Sequence, residues 1–184
     1  MRAVAGQVPE GSSVLELCCG PGTLYTRHLR KRVARYIGLD INERFVERLR
    51  QAGADARKVD LDADGRQLPE ADVVIMQASL YHFLPDAEPI VEQMIQAARD
   101  RVIVSEPIRN LASSEIPLIG ALGRRAANPG VGGHNRRFTE ATFDQLMQGY
   151  RPRLLSSFLI PGGREKVYVL DGRLRGRSGT TADP

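Results

Sequence analysis

The sequence predicts an α/β fold in which helices cover a doubly wound, mostly parallel sheet. Three observations lead to this prediction. Short apolar segments alternate with helix-compatible segments between residues 13 and 106, with short links between them. A glycine turn, Gly20-Pro21-Gly22, separates the first apolar segment from the helical segment that follows. Acidic or amide side chains end several of the apolar segments, so parallel strands would gather them at one edge of the sheet.

Five strands and three helices are predicted before Pro107. Strand three is weakly apolar and is expected at an edge, whereas strand four is the most apolar run and is expected at the centre. Asn42 is expected to cap helix B, and Pro85 with Asp86 to begin helix D. The predicted strands are 13–18, 35–40, 55–60, 72–77 and 101–106, and the helices are A at 22–33, B from 42 to about 49 and D at 86–98.

The second half of the chain departs from this alternation. Residues 108–138 are rich in glycine, proline and arginine, and because they leave strand five on the ligand side they are predicted to form a lid over the substrate. Thr139 is expected to cap helix E. Two further strands, 153–160 and 165–170, are joined by a Pro-Gly-Gly turn and predict a hairpin. The chain is therefore predicted as one domain, 1–172, followed by a flexible tail, 173–184.

The turn after strand one predicts a nucleotide-type ligand. Glycine lets backbone N–H groups approach a ligand, and a helix N-terminus behind the turn favours negative groups. A dinucleotide fingerprint would require a third glycine where Tyr25 stands. Asp40 ends strand two, and a carboxylate there can accept both hydroxyls of a ribose, whether the ligand is a nucleoside or a dinucleotide.

These segments resemble the class I S-adenosylmethionine-dependent methyltransferases. The resemblance rests on Glu16, Gly20 and Gly22 after strand one, on the acid Asp40, and on the segments Val59-Asp60-Leu61 and 72–82. Cys18 departs from the pattern, because it stands where the family has its first glycine. The resemblance implies a Rossmann-like, seven-stranded sheet that is mostly parallel and ends in an antiparallel hairpin. It also implies S-adenosylmethionine as cofactor, bound by Glu16, Cys18, Gly20, Gly22, Asp40, Ile41, Asp60, Leu61, Gln77 and Ala78.

Within that set the resemblance gives each part of the cofactor its contacts. The glycine turn would meet the methionine end, with Glu16 organising the loop, and Gln77 and Ala78 would meet the methionine amino group. Asp40 would hold the ribose, and Ile41 and Asp60 would meet adenine. Structural alternatives stay open: Glu16 bonded to loop N–H groups, Asp40 as a helix cap, and Asp60 as a solvated loop acid.

Three side chains are candidates for proton transfer or substrate binding. His82 follows strand four, where the transferred methyl is expected, and imidazole suits deprotonation of a hydroxyl or amine. Glu106 ends strand five, and His134 lies in the predicted lid. The alternatives are a packing or capping role for His82, a strand-end ion pair for Glu106 and a surface position for His134. No metal site is predicted.

Composition and charge limit the classes of substrate and the cellular compartment that we expect for this protein. Residues 1–98 carry 12 basic and 14 acidic side chains, whereas residues 99–184 carry 14 and 8. The arginines of the second half are dispersed without interleaved aromatics, which favours a small-molecule substrate over nucleic acid. Adjacent Cys18 and Cys19 predict neither a disulfide nor a zinc site, and no apolar run predicts a signal peptide or membrane span. We therefore expect a cytoplasmic enzyme.

Three functional readings remain open from the sequence. The first is methyl transfer to a small metabolite, and the second is methylation of RNA or protein. The third is a cofactor-binding partner subunit without catalysis. A homodimer in which a second subunit closes the site is an alternative to closure by residues 108–138.

Overall fold

The structure is a computed structural model that describes residues 1–62, 67–109 and 137–173. Most of the lid predicted at 108–138, including His134, lies outside the described residues, as does all but the first residue of the predicted tail.

Seven strands form one sheet in the order β3-β2-β1-β4-β5-β7-β6. Strands β1 to β5 are parallel to one another, and β7 runs antiparallel to both β5 and β6. This confirms the predicted α/β sheet and its antiparallel end. The strands are β1 Ser13–Leu17, β2 Arg35–Asp40, β3 Asp55–Lys58, β4 Ala71–Gln77, β5 Ala98–Pro107, β6 Leu154–Leu159 and β7 Glu165–Asp171.

Helices and single turns connect the strands. Four α-helices lie in the described residues, at α1 Arg2–Ala5, α2 Glu43–Gln51, α3 Glu88–Ala97 and α4 Glu140–Gln148. A π-helical turn spans Tyr25–Leu29, and 3₁₀ turns span Leu80–Phe83 and Arg151–Arg153. Among the described residues, none of these helices is long and apolar enough to cross a membrane.

The core lies in two layers, one against each face of the sheet. Side chains alternate between the layers along β4, with Val74 and Met76 in one cluster and Val73 and Ile75 in the other. All four are inaccessible to solvent, which is why this strand has the most continuous apolar run in the sequence. β3 has a single buried residue and lies at an edge, as predicted.

Two predicted helix caps are confirmed. The Asn42 side chain accepts a hydrogen bond from the Arg44 N–H at 3.0 Å at the start of α2. At the start of α4, Thr139 accepts from the Thr142 N–H, and the Thr142 hydroxyl accepts from the Thr139 N–H. The two bonds form a reciprocal capping box that satisfies otherwise unpaired donors.

The prediction of helix A over 22–33 is wrong in extent. Regular helix gives way to the π turn at Tyr25–Leu29, where the Arg30 N–H donates to the Tyr25 carbonyl at 2.9 Å. The chain then turns, and the Arg32 guanidinium donates to the carbonyls of Ala5 and Val8. These bonds tie the connection to the N-terminal segment, so it approaches β2 as a turn and not as helix.

The predicted start of helix D is also wrong. α3 begins at Glu88, so Pro89, and not Pro85, occupies its first turn. Its last residue, Ala97, is followed directly by β5, which therefore starts earlier than the predicted residue 101.

The strand order places a ligand crevice between β1 and β4. The chain moves outward from β1 through β2 to β3 and then returns to start β4 on the other side of β1. At such a reversal the connections leave on opposite faces, and the carboxyl ends of the two strands stay uncovered. The segments after Leu17, Asp40 and Gln77 meet at this edge.

Candidate active site

The turn after β1 has its backbone in the left-handed region at Cys18, Gly20 and Gly22. Cys18 has φ 50° and Gly20 has φ 55°. Apart from its two chain neighbours, no atom of the described residues would lie within 4 Å of a Cβ atom at Gly20, so the bare backbone faces space that these residues leave open. Cys18 takes the same conformation with a side chain, at a cost of about 1–2 kcal/mol for an L-residue. The turn therefore keeps its shape although the first glycine of the family pattern is absent.

Gly22 holds the turn against α2. Its φ is 71°, and a Cβ atom there would lie 2.2 Å from Leu49 Cδ1. Leu49 is completely buried. Gly22 therefore serves helix packing, whereas the space in front of Gly20 remains for a ligand.

Asp40 links the turn after β1 to the turn after β2. Its Oδ2 accepts from the Gly20 N–H and its Oδ1 from the Asn42 N–H, both at 2.8 Å. Asp40 does not cap α2, because Asn42 does so. Each carboxylate oxygen can accept a second hydrogen bond. The side chain is thus fixed beside the bare Gly20 backbone with acceptor capacity to spare, as a ribose diol would require.

Glu16 has a different partner from the predicted loop N–H groups. The Tyr36 hydroxyl donates to Glu16 Oε2 at 2.5 Å, and the Tyr36 ring packs on Tyr25 with centroids 4.4 Å apart. Burial raises the pKa of Glu16 to about 7, and the charge of Asp40 adds to this, while the tyrosine bond opposes it. Glu16 therefore supports the turn from beneath, through β2.

The cysteines of this turn are free thiols without nucleophilic character. Cys18 is half-buried and Cys19 is buried. Burial, followed by the charges of Asp40 and Glu106, raises the pKa of Cys18 to about 12. Burial, followed by the charges of Glu16 and Asp40, raises the pKa of Cys19. A thiol that stays protonated at neutral pH supplies shape and not reactivity.

The residues predicted to meet adenine follow β2 and β3. Ile41 is 41% exposed, an unusual exposure for an isoleucine beside a crevice. Asp60 is exposed, and its Oδ1 accepts from the Asp62 N–H at 3.1 Å, while Leu61 is nearly buried. An exposed apolar side chain next to Asp40 provides a surface on which a flat base can pack.

The segment after β4 is held in an unusual conformation. Ala78 has φ 54°, and its N–H donates to the Ser105 carbonyl at 2.7 Å. Gln77 Nε2 and the Ser105 hydroxyl both donate to Glu165 Oε1, at 2.9 and 2.5 Å. Gln77 is thus bound to β7 through its side chain, and its backbone is the part that can meet a ligand.

Glu106 fixes the next two residues of this segment. Its Oε1 accepts from the N–H groups of Ser79 and Leu80, at 2.8 and 2.6 Å. Its Oε2 is buried without a hydrogen-bond partner among the described residues. Burial raises the pKa of Glu106 to about 8, and the Glu165 charge adds to it against the two N–H bonds. The alternative of an ion pair with an arginine finds no support among the described residues.

His82 lies in the 3₁₀ turn after β4 and lines a cavity of about 420 Å³. Leu61 and Asp62 line the same cavity, together with Phe83 to Asp86 and residues of α3. Because Leu61 belongs to the predicted cofactor segment, the cavity adjoins that segment. Cavities of this size take small molecules.

These residues fit the predicted cofactor. Gly20 offers bare backbone facing open space, Asp40 offers two oriented acceptors, and Ile41 offers an exposed apolar face. Sequence reasoning missed Tyr36, Ser105 and Glu165, which support these groups from neighbouring strands. The signal for Tyr36 was available, because Tyr36, Gly38 and Asp40 alternate onto one face and Gly38 pairs with Glu16.

Comparisons with known proteins agree with this fold. Residues 14–102 match a family model described as a methyltransferase domain. No curated protein sequence matches the chain. An S-adenosylmethionine-dependent methyltransferase from Mesorhizobium loti shares the fold with a TM-score of 0.65 and 17% identity, over 92% of this chain and 95% of that one.

Two further solved structures share the fold. Magnesium protoporphyrin IX methyltransferase from Synechocystis, with bound SAH, gives a TM-score of 0.64 and 19% identity over 92% of this chain and 77% of that one. A putative methyltransferase from Haloferax volcanii, in complex with the Trm112 activator, gives a TM-score of 0.63 and 14% identity over 92% of this chain and 87% of that one. The sequence match over residues 14–102, together with the shared fold, supports a class I methyltransferase, a family whose cofactor is S-adenosylmethionine.

Proposed function

We propose that this enzyme transfers the methyl group of S-adenosylmethionine to an oxygen, nitrogen or carbon of a small metabolite. The observation that carries the proposal is the bare Gly20 backbone facing open space beside the fixed Asp40 carboxylate. A cavity of about 420 Å³, lined by His82 and by Leu61 of the predicted cofactor segment, supports a small acceptor. When bound, the cofactor supplies a methyl group on a positively charged sulfur.

The residues of the chain would act mainly by holding the cofactor and the acceptor and by orienting them for transfer. Proximity and orientation can remove about 7–11 kcal/mol of a barrier, so a rigid site matters more than a strong base. Rigidity is supported by the bonds from Asp40 to two turns and from Glu106 to Ser79 and Leu80. The proposed cofactor site consists of Glu16, Cys18, Gly20, Gly22, Asp40, Ile41, Asp60, Leu61, Gln77 and Ala78. Within it, Glu16 and Gly22 would act by supporting the turn.

Three residues form the proposed acceptor side of the site, and one of them, His82, would take part in proton transfer. His82, which lines the cavity, would accept the proton of a hydroxyl or amine at an imidazole nitrogen. Glu106 is protonated below its pKa of about 8, so at neutral pH it would orient the segment after β4 rather than serve as a base. His134, outside the described residues, remains a proposed contact to the acceptor.

The cofactor half of the proposal is tested by Gly20→Ala. The new Cβ enters only the open space, so the variant should fold, yet it should weaken binding of S-adenosylhomocysteine about tenfold or more because a ligand against the backbone meets the methyl group. Gly11→Ala is the matched control, since Gly11 has φ 77° and equally open space but precedes β1 at the opposite end of the strand. Calorimetric titration of both variants with S-adenosylhomocysteine measures the difference.

Three outcomes separate the functional readings. Equal affinity in the Gly20 and Gly11 variants would place the cofactor elsewhere and refute the proposal. Cofactor binding without formation of S-adenosylhomocysteine in the presence of any acceptor would favour the reading as a non-catalytic partner subunit. Salt-sensitive retention of RNA, with methyl incorporation into it, would favour the macromolecular substrate.

A further inference from the structure

Arg137 lies on a buried aromatic ring beside the proposed acceptor site. Its guanidinium carbon is 3.3 Å from the centroid of the Tyr81 ring. Tyr81 is buried, and its ring also packs against His82, with centroids 4.0 Å apart. The three side chains therefore form a stack that connects Arg137 to the cavity lined by His82.

The stack uses only the face of the guanidinium. A cation–π contact leaves the five N–H groups at the edge of the plane free to donate. Arg137 is half-buried, and no described residue offers it a hydrogen bond or a carboxylate within 4.0 Å. Burial is the sole cause that lowers the pKa of Arg137, so no charged neighbour among the described residues acts on it.

The other half-buried arginines of the described ranges have protein partners. Arg32 donates to the carbonyls of Ala5 and Val8, and Arg101 donates to Asp100 and to the Gln7 carbonyl. Arg153 donates to the Asp171 carbonyl. Removing a guanidinium from water without replacing its hydrogen bonds is unfavourable. Arg137 is thus the exception within this part of the chain, and its position is at the edge where ligands bind.

The stack is also joined to the segment that meets the cofactor. Tyr81 follows Leu80, whose N–H donates to Glu106 at the end of β5. On the other side Arg137 precedes Phe138 and the capped start of α4. Arg137 and Tyr81 are therefore both anchored, and the edge of the guanidinium is held at a fixed place near His82.

We propose that Arg137 binds a carboxylate of the methyl acceptor, which makes the acceptor an anionic metabolite. This inference rests on the proposed transfer to a small metabolite. The planar edge of a guanidinium matches the two oxygens of a carboxylate in a bidentate pair. One cation neutralises one negative charge, so a carboxylate fits this site better than a phosphate dianion.

The test uses the full chain saturated with S-adenosylhomocysteine and three small probes: benzoate, benzamide and phenyl phosphate. Binding is followed by NMR through the Arg137 Nε–H resonance and by calorimetry. Benzoate should shift that resonance and bind at least about tenfold more tightly than the other two probes, as expected for a hydrogen-bonded charge pair. Arg137→Gln should lose the preference and Arg137→Lys should retain part of it. Arg151→Gln, at an exposed arginine, should change nothing.

Two results would overturn the inference: benzamide or phenyl phosphate binding as tightly as benzoate, or benzoate binding unchanged in Arg137→Gln. Unchanged titration with S-adenosylhomocysteine shows that each variant is folded. The proposed function fails separately, through absence of methyl transfer to any small acceptor, while the benzoate result still decides the role of Arg137.

Discussion

Replacing Glu106 by glutamine is a direct test of how the acceptor side is built. Glutamine keeps the oxygen that accepts from the Ser79 and Leu80 N–H groups, and its amide nitrogen takes the place of the unpartnered Oε2. The variant therefore copies the protonated carboxyl and cannot ionise. We expect it to match the wild type in acid and to be more stable than the wild type in base.

The size of the effect follows from the pKa of Glu106. Burial raises it from 4.5 to about 8 in the folded chain, so between these pH values the native state holds a proton that the unfolded state has released. The stabilisation is fully present below pH 4.5 and is lost as the pH rises through 8. Each pH unit in this window corresponds to about 1.4 kcal/mol, which gives a difference of at most about 5 kcal/mol above pH 8.

Urea unfolding at pH 5, 6.5 and 8.5 measures this difference. The gap between Glu106→Gln and the wild type should be near zero at pH 5 and should widen at each step. Glu10→Gln, which removes the same charge from an exposed position, should show no such widening. Parallel curves for Glu106→Gln and the wild type over the whole range would refute the assignment of Glu106 as a buried neutral acid.

Two further predictions concern the support of the cofactor turn. Tyr36→Phe removes the donor to Glu16 Oε2 and should destabilise the chain by about 1–3 kcal/mol. The loss should be larger at pH 8.5 than at pH 5, because the ionised carboxylate depends more on the hydrogen bond. An equal loss in urea unfolding at both pH values would contradict this. Gly22→Ala should cost about 2–4 kcal/mol through overpacking and backbone strain, because its Cβ would lie 2.2 Å from Leu49 Cδ1. In a double-mutant cycle, Leu49→Ala should restore part of the stability lost in Gly22→Ala. Strictly additive losses of stability in the two variants would exclude the proposed contact.

The fold could be predicted because its signals are local. The apolar run of β4, the Asn42 and Thr139 caps and the glycine turn each report on a few neighbouring residues, and all four have the predicted structure. Right-handed crossovers then leave few arrangements for alternating strands and helices. Asp40 followed from the same logic, since the end of a strand beside the glycine turn determines where a carboxylate must lie.

The features that the sequence did not predict occur where distant segments determine a local structure. Helix A is shortened where Arg32 binds the carbonyls of Ala5 and Val8, a contact that no helical pattern in residues 22–33 reports. The hydrogen-bond partner of Glu16, Tyr36, likewise comes from the neighbouring strand, and the spacing around Glu16 does not report it. In both cases the deciding group is remote in sequence, so propensity and spacing could not identify it.

The two halves of the site differ in the same way, and this explains why the cofactor could be predicted and the acceptor could not. The cofactor half consists of backbone features, such as the bare Gly20 turn, whose requirements are visible in single residues. The acceptor half consists of side chains paired across the fold, Glu106 with the Leu80 N–H and Arg137 with Tyr81. Because Leu80 and Tyr81 are consecutive, a change in how the acceptor is bound reaches the backbone after β4 directly. In the proposed site, selectivity for the acceptor and positioning of the cofactor would therefore be coupled through this one segment, even though only the second can be predicted from the sequence.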